Sequence, residues 1–291
     1  MHAKLTKISE LRELKSLQEL YLKDWPKHCV GYFWLDNYIR WQKKVTLKHL
    51  TFYTLQNDWR SDGLFILVHR YQLFFSNLSR EKTPQLREAL ELLDWSVGYK
   101  VSAIHETHNN VYKQLIVERQ LCLEREMNTK FYSMPCEKAK LMKISCPSGY
   151  YLDKVRLEHA VLINELWPAR HAGSLKLIEL LIEHNTSVGL YEQETGQLCA
   201  WCLRLQSGFL GALQVLETHQ RRGFAAVVAA AISQKIAKEL EQDVTALVSM
   251  DNAPAARVFE KLHFTLNAGE HYYWSMCLPH KGDTINWPDK Q

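Results

Sequence analysis

Apolar residues recur once per turn at Phe224, Val228, Ile232, Ile236 and Leu240. That spacing predicts a helix over about 224–240 with a single apolar stripe. Many of the intervening positions are alanine, so the helix can press closely onto a sheet. The pattern changes on either side. Leu210–Thr218 and Val244–Val248 read as strands, 253–262 as a short amphipathic helix, and His271–Met276 as a final aromatic strand. Upstream lie helical stretches over Leu157–Trp167 and Leu175–Ile182, then strands Val188–Tyr191 and Leu198–Leu205, joined by a turn at Glu194-Thr195-Gly196.

The first half alternates in the same way. Leu11–Leu22 is a helical pattern, and Cys29–Trp34 is a short strand candidate. His49–Leu55 and Leu64–Phe75 are rich in Val, Ile, Phe and Tyr, with the turn-rich Asn57–Gly63 between them. Thr83-Pro84 opens a helix running to about Leu93, since proline suits the first helical position. Strand-like Lys100–Ile104, helical Val111–Leu123 and aromatic Phe131-Tyr132 follow. Residues 136–153, with Cys146-Pro147-Ser148-Gly149, read as a connection between domains, so the expected division is 1–145 and 146–291.

A chain of 291 residues is comfortable as two domains. No apolar run approaches the roughly eighteen residues of a membrane span, and the charged stretch Leu5–Leu22 is not a signal peptide. The seven cysteines are odd in number and scattered, which points to a reduced intracellular compartment, cytoplasmic or mitochondrial. A net charge of +4 suits an anionic cofactor but supplies no basic patch of the kind that nucleic-acid binders carry. Cys199 and Cys202 stand three apart on a strand and so face opposite sides; they read as core, and no metal site is expected.

The most informative segment is Val215-Leu216-Glu217-Thr218-His219-Gln220-Arg221-Arg222-Gly223-Phe224-Ala225, a strand end, a basic turn and a helix start. Gln220-x-x-Gly223-x-Ala225 leaves backbone amides at a helix N-terminus with little side chain around them, a seat for phosphate or pyrophosphate. Thirty residues on comes Asp251-Asn252-Ala253-Pro254 through Phe259-Glu260-Lys261-Leu262-His263-Phe264.

The two segments, in this order, resemble the signatures of the GCN5-related N-acetyltransferase (GNAT) superfamily. The stretch from Leu157 through Trp167 to Cys199-Ala200-Trp201-Cys202 is similar to the glycine N-acyltransferase-like family. The resemblance implies an α/β GNAT fold, a mixed central sheet with helices on both faces. The N-terminal α/β domain would then be a second unit, open to reading as a degenerate copy. The implied activity is acyl transfer from acyl-CoA or acetyl-CoA to a small primary amine such as glycine. A catalytically weak acyl-CoA-binding module and a protein or peptide N-acetyltransferase are the alternatives.

The resemblance also implies roles. Leu213, Val215 and Leu216 would offer main-chain groups to the pantetheine arm. Gln220, Arg221, Arg222, Gly223, Phe224 and Ala225 would hold the pyrophosphate. Asn252 would contact the coenzyme arm, with a helix N-cap as the other reading. Phe259 stands where many members place a tyrosine that protonates the thiolate, and phenylalanine has no proton to give. Either the thiolate leaves unassisted, or Tyr272, Tyr273 or a water substitutes. His263 stands where glycine is usual. For the base, Glu217 is the first choice and His219 the second, on the view that 217 and 218 lie on opposite faces of a strand end.

Overall fold

A computed structural model describes residues 3–79 and 83–285. Two compact units divide the chain: one holds the residues up to 129 together with those from 270 onward, the other 130–269. In chain order the elements to 134 are β1 (Leu5–Lys7), α1 (Leu11–Leu20), α2 (Cys29–Gln42), β2 (Leu50–Leu55), α3 (Trp59–Asp62), β3 (Phe65–His69), β4 (Gln72–Ser76), α4 (Thr83–Glu91), β5 (Tyr99–His105), α5 (Glu106–Glu118) and β6 (Cys122–Met134). There follow α6 (Cys136–Lys140), β7 (Tyr150–Asp153), α7 (Ala160–Leu166), α8 (Ser174–His184), β8 (Ser187–Glu192), β9 (Leu198–Arg204), β10 (Phe209–Val215), α9 (Phe224–Leu240), β11 (Val244–Ser249), α10 (Ala253–Lys261) and β12 (Thr265–Leu278).

The same succession of strand, two helices, three strands, helix, strand, helix and strand runs through both halves of the chain, with α3 and α6 as additions. In each unit it builds a mixed sheet flanked by helices. Strand order in the first unit is β1-β2-β3-β4-β5-β12-β6, and in the second β7-β8-β9-β10-β11-β6-β12. β6 and β12 each run from one unit into the other, so each unit takes its sixth strand from the other half of the chain. β12 joins β5 antiparallel through Tyr272↔His105 to Cys277↔Tyr99. This exchange places 130–145 with the second unit and the chain from Glu270 with the first, unlike the division at 145/146 drawn from the sequence.

Several local expectations shift for physical reasons. Cys29–Trp34 is the opening of helix α2, not a strand. Its residues are buried on nearly every face (Cys29, Val30, Gly31, Phe33, Trp34, Leu35, Asn37, Tyr38, Ile39, Trp41), so no polar stripe marks the helical period. Leu64–Phe75 is a hairpin, β3 and β4, turning at Arg70 with φ 58°. The helix expected over Val111–Leu123 begins at Glu106 and ends at Glu118, and Cys122 already belongs to β6. The connecting stretch 136–153 contains α6 and the edge strand β7.

α9 has the expected span, and its stripe is buried at Phe224, Val228, Ile232 and Ile236. Ala229, Ala230, Ala231 and Ala237 are buried beside it, which lets the helix axis lie close to β8, β9 and β10. The core under it includes Val188, Leu190, Ala200, Cys202 and Leu210. This packing fixes the position of the helix N-terminus relative to the end of β10.

Candidate functional site

β10 and β11 are parallel neighbours, but they pair only at Phe209↔Thr245 and Leu210↔Ala246. β10 continues to Val215 and β11 to Ser249 without further pairing to each other. A bulge accompanies the separation: Gly211 faces Leu203 and Gln214 faces Trp201 on β9, so two β10 residues oppose one, and Ala212 takes φ 47°. The β11-facing side of β10 beyond Leu210 therefore has no ladder partner. Leu213 and Val215 are half-buried over the core in this stretch, and Leu216, also half-buried, donates its amide to Cys199 O at 2.9 Å. Gln214 Nε2 donates to Leu166 O, tying the end of α7 to the same strand.

Beyond Leu216 the chain makes one 3-10 turn, Glu217–His219, and then crosses to α9. The sequence reading of a strand through Thr218 is thus corrected: 217 and 218 do not alternate across a sheet, and both are exposed. Arg221 stands at φ 61° and Gly223 at φ 82°, so the backbone curls twice through the left-handed region in three residues. A Cβ at Gly223 would meet nothing within 4 Å, so glycine is there for its backbone conformation, and the space above it is open. Among the described residues no acceptor meets the amides of Arg221, Arg222, Gly223, Phe224 and Ala225; the next amide, Ala226 N, donates to Gly223 O at 3.1 Å. Five consecutive unpartnered donors stand at the N-terminus of a 17-residue helix, where the macrodipole favours an anion.

His219 is packed beneath this turn. Its Nδ1 lies 2.8 Å from Thr218 Oγ1 and its Nε2 3.5 Å from Cys199 Sγ. Either tautomer uses both ring nitrogens, and the ring stands 6.1 Å from Phe224 and 6.2 Å from Tyr150. Burial pushes the Cys199 thiol up, so it faces His219 as a neutral group. Glu217, by contrast, is exposed, and no hydrogen bond or ion pair holds it among the described residues. Gln220 and Arg221 are exposed on the turn. Arg222 donates to the Tyr150 hydroxyl at 3.3 Å, and the Tyr150 ring packs edge-on against Phe224 at 4.7 Å. Tyr150 is the residue that the sequence reading missed. It lies on β7, some seventy residues before the turn, and no local pattern announces the meeting.

The remaining candidates lie on α10. Asn252 caps that helix, its Oδ1 accepting from Ala255 N at 3.1 Å, with Pro254 in the first turn. Phe259 is buried, stacked on Tyr132 at 6.0 Å and edge-on to Phe264 at 5.1 Å. His263 follows the helix at φ 63°, where glycine would be unstrained. Tyr272 and Tyr273 lie in the part of β12 that belongs to the first unit. No group of His, Cys, Asp and Glu among the described residues could hold a metal ion, and no helix is long and apolar enough to cross a membrane.

Along 97% of this chain and 100% of its own, the tandem GNAT protein of the clavulanic acid biosynthesis pathway superposes with a TM-score of 0.58 at 11% identity. The chain has the GNAT fold. A GCN5-related N-acetyltransferase from Sphaerobacter thermophilus agrees over 98% of both chains, with a TM-score of 0.54 and 10% identity. A Drosophila protein of known crystal structure is more similar, at 25% identity and a TM-score of 0.86 over 94% of this chain and 98% of its own. Residues 187–275, from β8 into β12, match the model of the FR47-like protein family. No curated protein matches the sequence significantly. In this GNAT-fold chain the β10–β11 opening and the turn into α9 lie wholly in the second unit.

Proposed function

We propose that this protein transfers an acyl group from coenzyme A to a small primary amine, with glycine or another amino acid as the acceptor class. The observation that carries the reading is the set of five unpartnered amides at the start of α9, beside a strand whose pairing edge is open. The turn takes the pyrophosphate, and the unpaired edge of β10 at Leu213 and Val215 pairs with the amide groups of the pantetheine arm. The thioester then lies at the strand opening. The amine nitrogen attacks the carbonyl carbon, a C–N bond forms, the C–S bond breaks, and the sulfur leaves as thiolate. Holding the two reactants side by side supplies much of the rate.

Two proton transfers accompany this. Glu217 is the proposed base for the amine, because it is exposed at the end of β10 while both nitrogens of His219 are engaged. Phe259 offers no proton, and the adjacent Tyr132 hydroxyl is bonded to Glu260 Oε1 at 3.1 Å; solvent water protonates the thiolate. Arg222, braced by Tyr150, adds a cation beside the phosphate seat. A second reading, coenzyme binding without turnover, is favoured by the packing of Phe259 and His219 into the core.

One experiment separates these readings. Purified protein is titrated with acetyl-CoA by calorimetry, and then incubated with mixed acyl-CoA and free amino acids for product detection by mass spectrometry. The Gly223→Glu variant, which places a carboxylate over the amides, is expected to lose acetyl-CoA affinity by about tenfold or more. Equal affinity in the folded variant overturns the coenzyme site; tight binding with no acylated amine supports the binding-only reading.

A further inference from the structure

The first unit contains a small cavity where its own parallel strand pair opens. β4 and β5 pair only at Gln72↔Lys100 and Leu73↔Val101, although the strands run on to Ser76 and His105. On β5, Ser102 and Ala103 together oppose one residue of β12, and Ala103 takes φ 53°. The cavity is about 30 Å³, bounded by α2, the ends of β4 and β5, the first turn of α5, and Tyr272. About 10–15 Å³ of such volume suffices for one water, so the space fits a group of a few heavy atoms such as a carboxylate.

The lining carries one lysine, three histidines and a tryptophan. Lys27 and His28 lie at it, Lys27 being exposed and without a side-chain partner among the described residues. His108 Nε2 is 3.0 Å from Oδ1 of the buried Asn77, and His105 Nε2 is 2.9 Å from Glu270 Oε2 while its Nδ1 accepts from Thr107 N. Trp34 also lines the cavity; it is 1% exposed, and its buried indole N–H meets no acceptor among the described residues. A buried donor left unmade is costly and uncommon in folded proteins, and an oxygen brought by a ligand would satisfy it. After β4 the sequence from Asn77-Leu78-Ser79 to Thr83-Pro84 contains no glycine, unlike Gln220–Ala225.

We propose that this cavity binds the carboxylate group of a small organic acid or amino acid, with the Trp34 indole N–H and the Lys27 ammonium as its principal donors. The lining shares no residue with Leu213, Val215, Leu216, Glu217 or the Gln220–Ala225 turn.

Acetate is the probe, with inorganic phosphate as the control anion, and the full-length protein is used throughout. In ¹⁵N-resolved NMR the Trp34 indole resonance, assigned by its loss in Trp34→Phe, is expected to shift saturably with acetate. By calorimetry Trp34→Phe and Lys27→Ala are each expected to weaken acetate binding by about tenfold, with acetyl-CoA affinity unchanged. Gly223→Glu should leave acetate binding intact, which keeps this test independent of the coenzyme site. Absence of a saturable shift, acetate affinity in Lys27→Ala or folded Trp34→Phe equal to wild type, or phosphate binding as tightly as acetate would overturn the proposal. Lys27 is exposed, so its variant tests the site even if Trp34→Phe folds poorly.

Discussion

At Glu217 and His219, two titratable side chains two positions apart have opposite surroundings: one stands in solvent, and the other is enclosed by Cys199, Thr218, Tyr150 and Phe224. A base must reach the amine, so Glu217→Gln is expected to lower kcat/KM by about tenfold or more, most strongly at low pH where the amine is largely protonated. Overlapping pH–rate profiles for wild type and Glu217→Gln would move the base elsewhere. His263 offers a test of backbone strain. It holds φ 63° at the end of α10, a region that costs a non-glycine residue about 1–2 kcal/mol, although part of the gain from glycine is lost to its freer unfolded chain. His263→Gly should therefore raise stability by about 0.5–1 kcal/mol, read as an increased denaturant midpoint at unchanged slope. The αL requirement at this position was not legible from periodicity; the resemblance alone, through its usual glycine, signalled it.

Among the elements, α9 couples packing to the site. Its apolar stripe and its alanines set how deeply it sits on the sheet, and that depth decides where the five amides of the turn point. Ile232 is fully buried at mid-helix, so Ile232→Ala should cost about 2–5 kcal/mol through lost transfer free energy and the cavity left behind. Thermal unfolding checks this, and a change under about 1 kcal/mol would show that the helix–sheet interface collapses into the gap. β10 shows the converse relation, since its proposed role rests on pairing it does not make. The bulge at Gly211–Gln214 and the two-pair contact with β11 leave an unpaired edge, the proposed partner of a coenzyme amide. Periodicity located α9 and β10 because each repeats along the chain. It could not show that β10 and β11 part company, because divergence depends on residues in two distant strands.

Across the whole molecule, one element order is used twice, with two strands exchanged. Within the first unit, the burial of Lys100 has a measurable effect. This lysine is buried on β5 of the first unit, and desolvation, aided by repulsion from Arg125, lowers its pKa to about 7 from an ordinary value near 10.5. Below pH 7 both folded and unfolded states carry the proton, and the full penalty of burying the charge applies. Between about pH 7 and 10.5 the unfolded state binds more protons than the folded state, so stability rises with pH through that window. Lys100→Met should raise Tm at pH 7 and flatten this rise; an unchanged pH slope would show that the amine is solvated in solution.

What the sequence by itself determined is local. The spacing of Phe224, Val228, Ile232 and Ile236 specified α9, the glycine at 223 specified a turn no other residue enters without strain, and Asn252-Ala253-Pro254 specified a helix start. These follow from residues within one or two turns of each other, where a 3.6- or 2-residue period and a φ preference suffice. The tertiary structure alone decided which sixth strand each unit receives, that Cys29–Gln42 is a helix buried all round, that His219 is enclosed rather than presented, and that Tyr150 braces Arg222. Each of those depends on contacts between residues tens of positions apart, whose pairing is chosen by burial and packing of the assembled fold rather than by any preference the segment expresses alone.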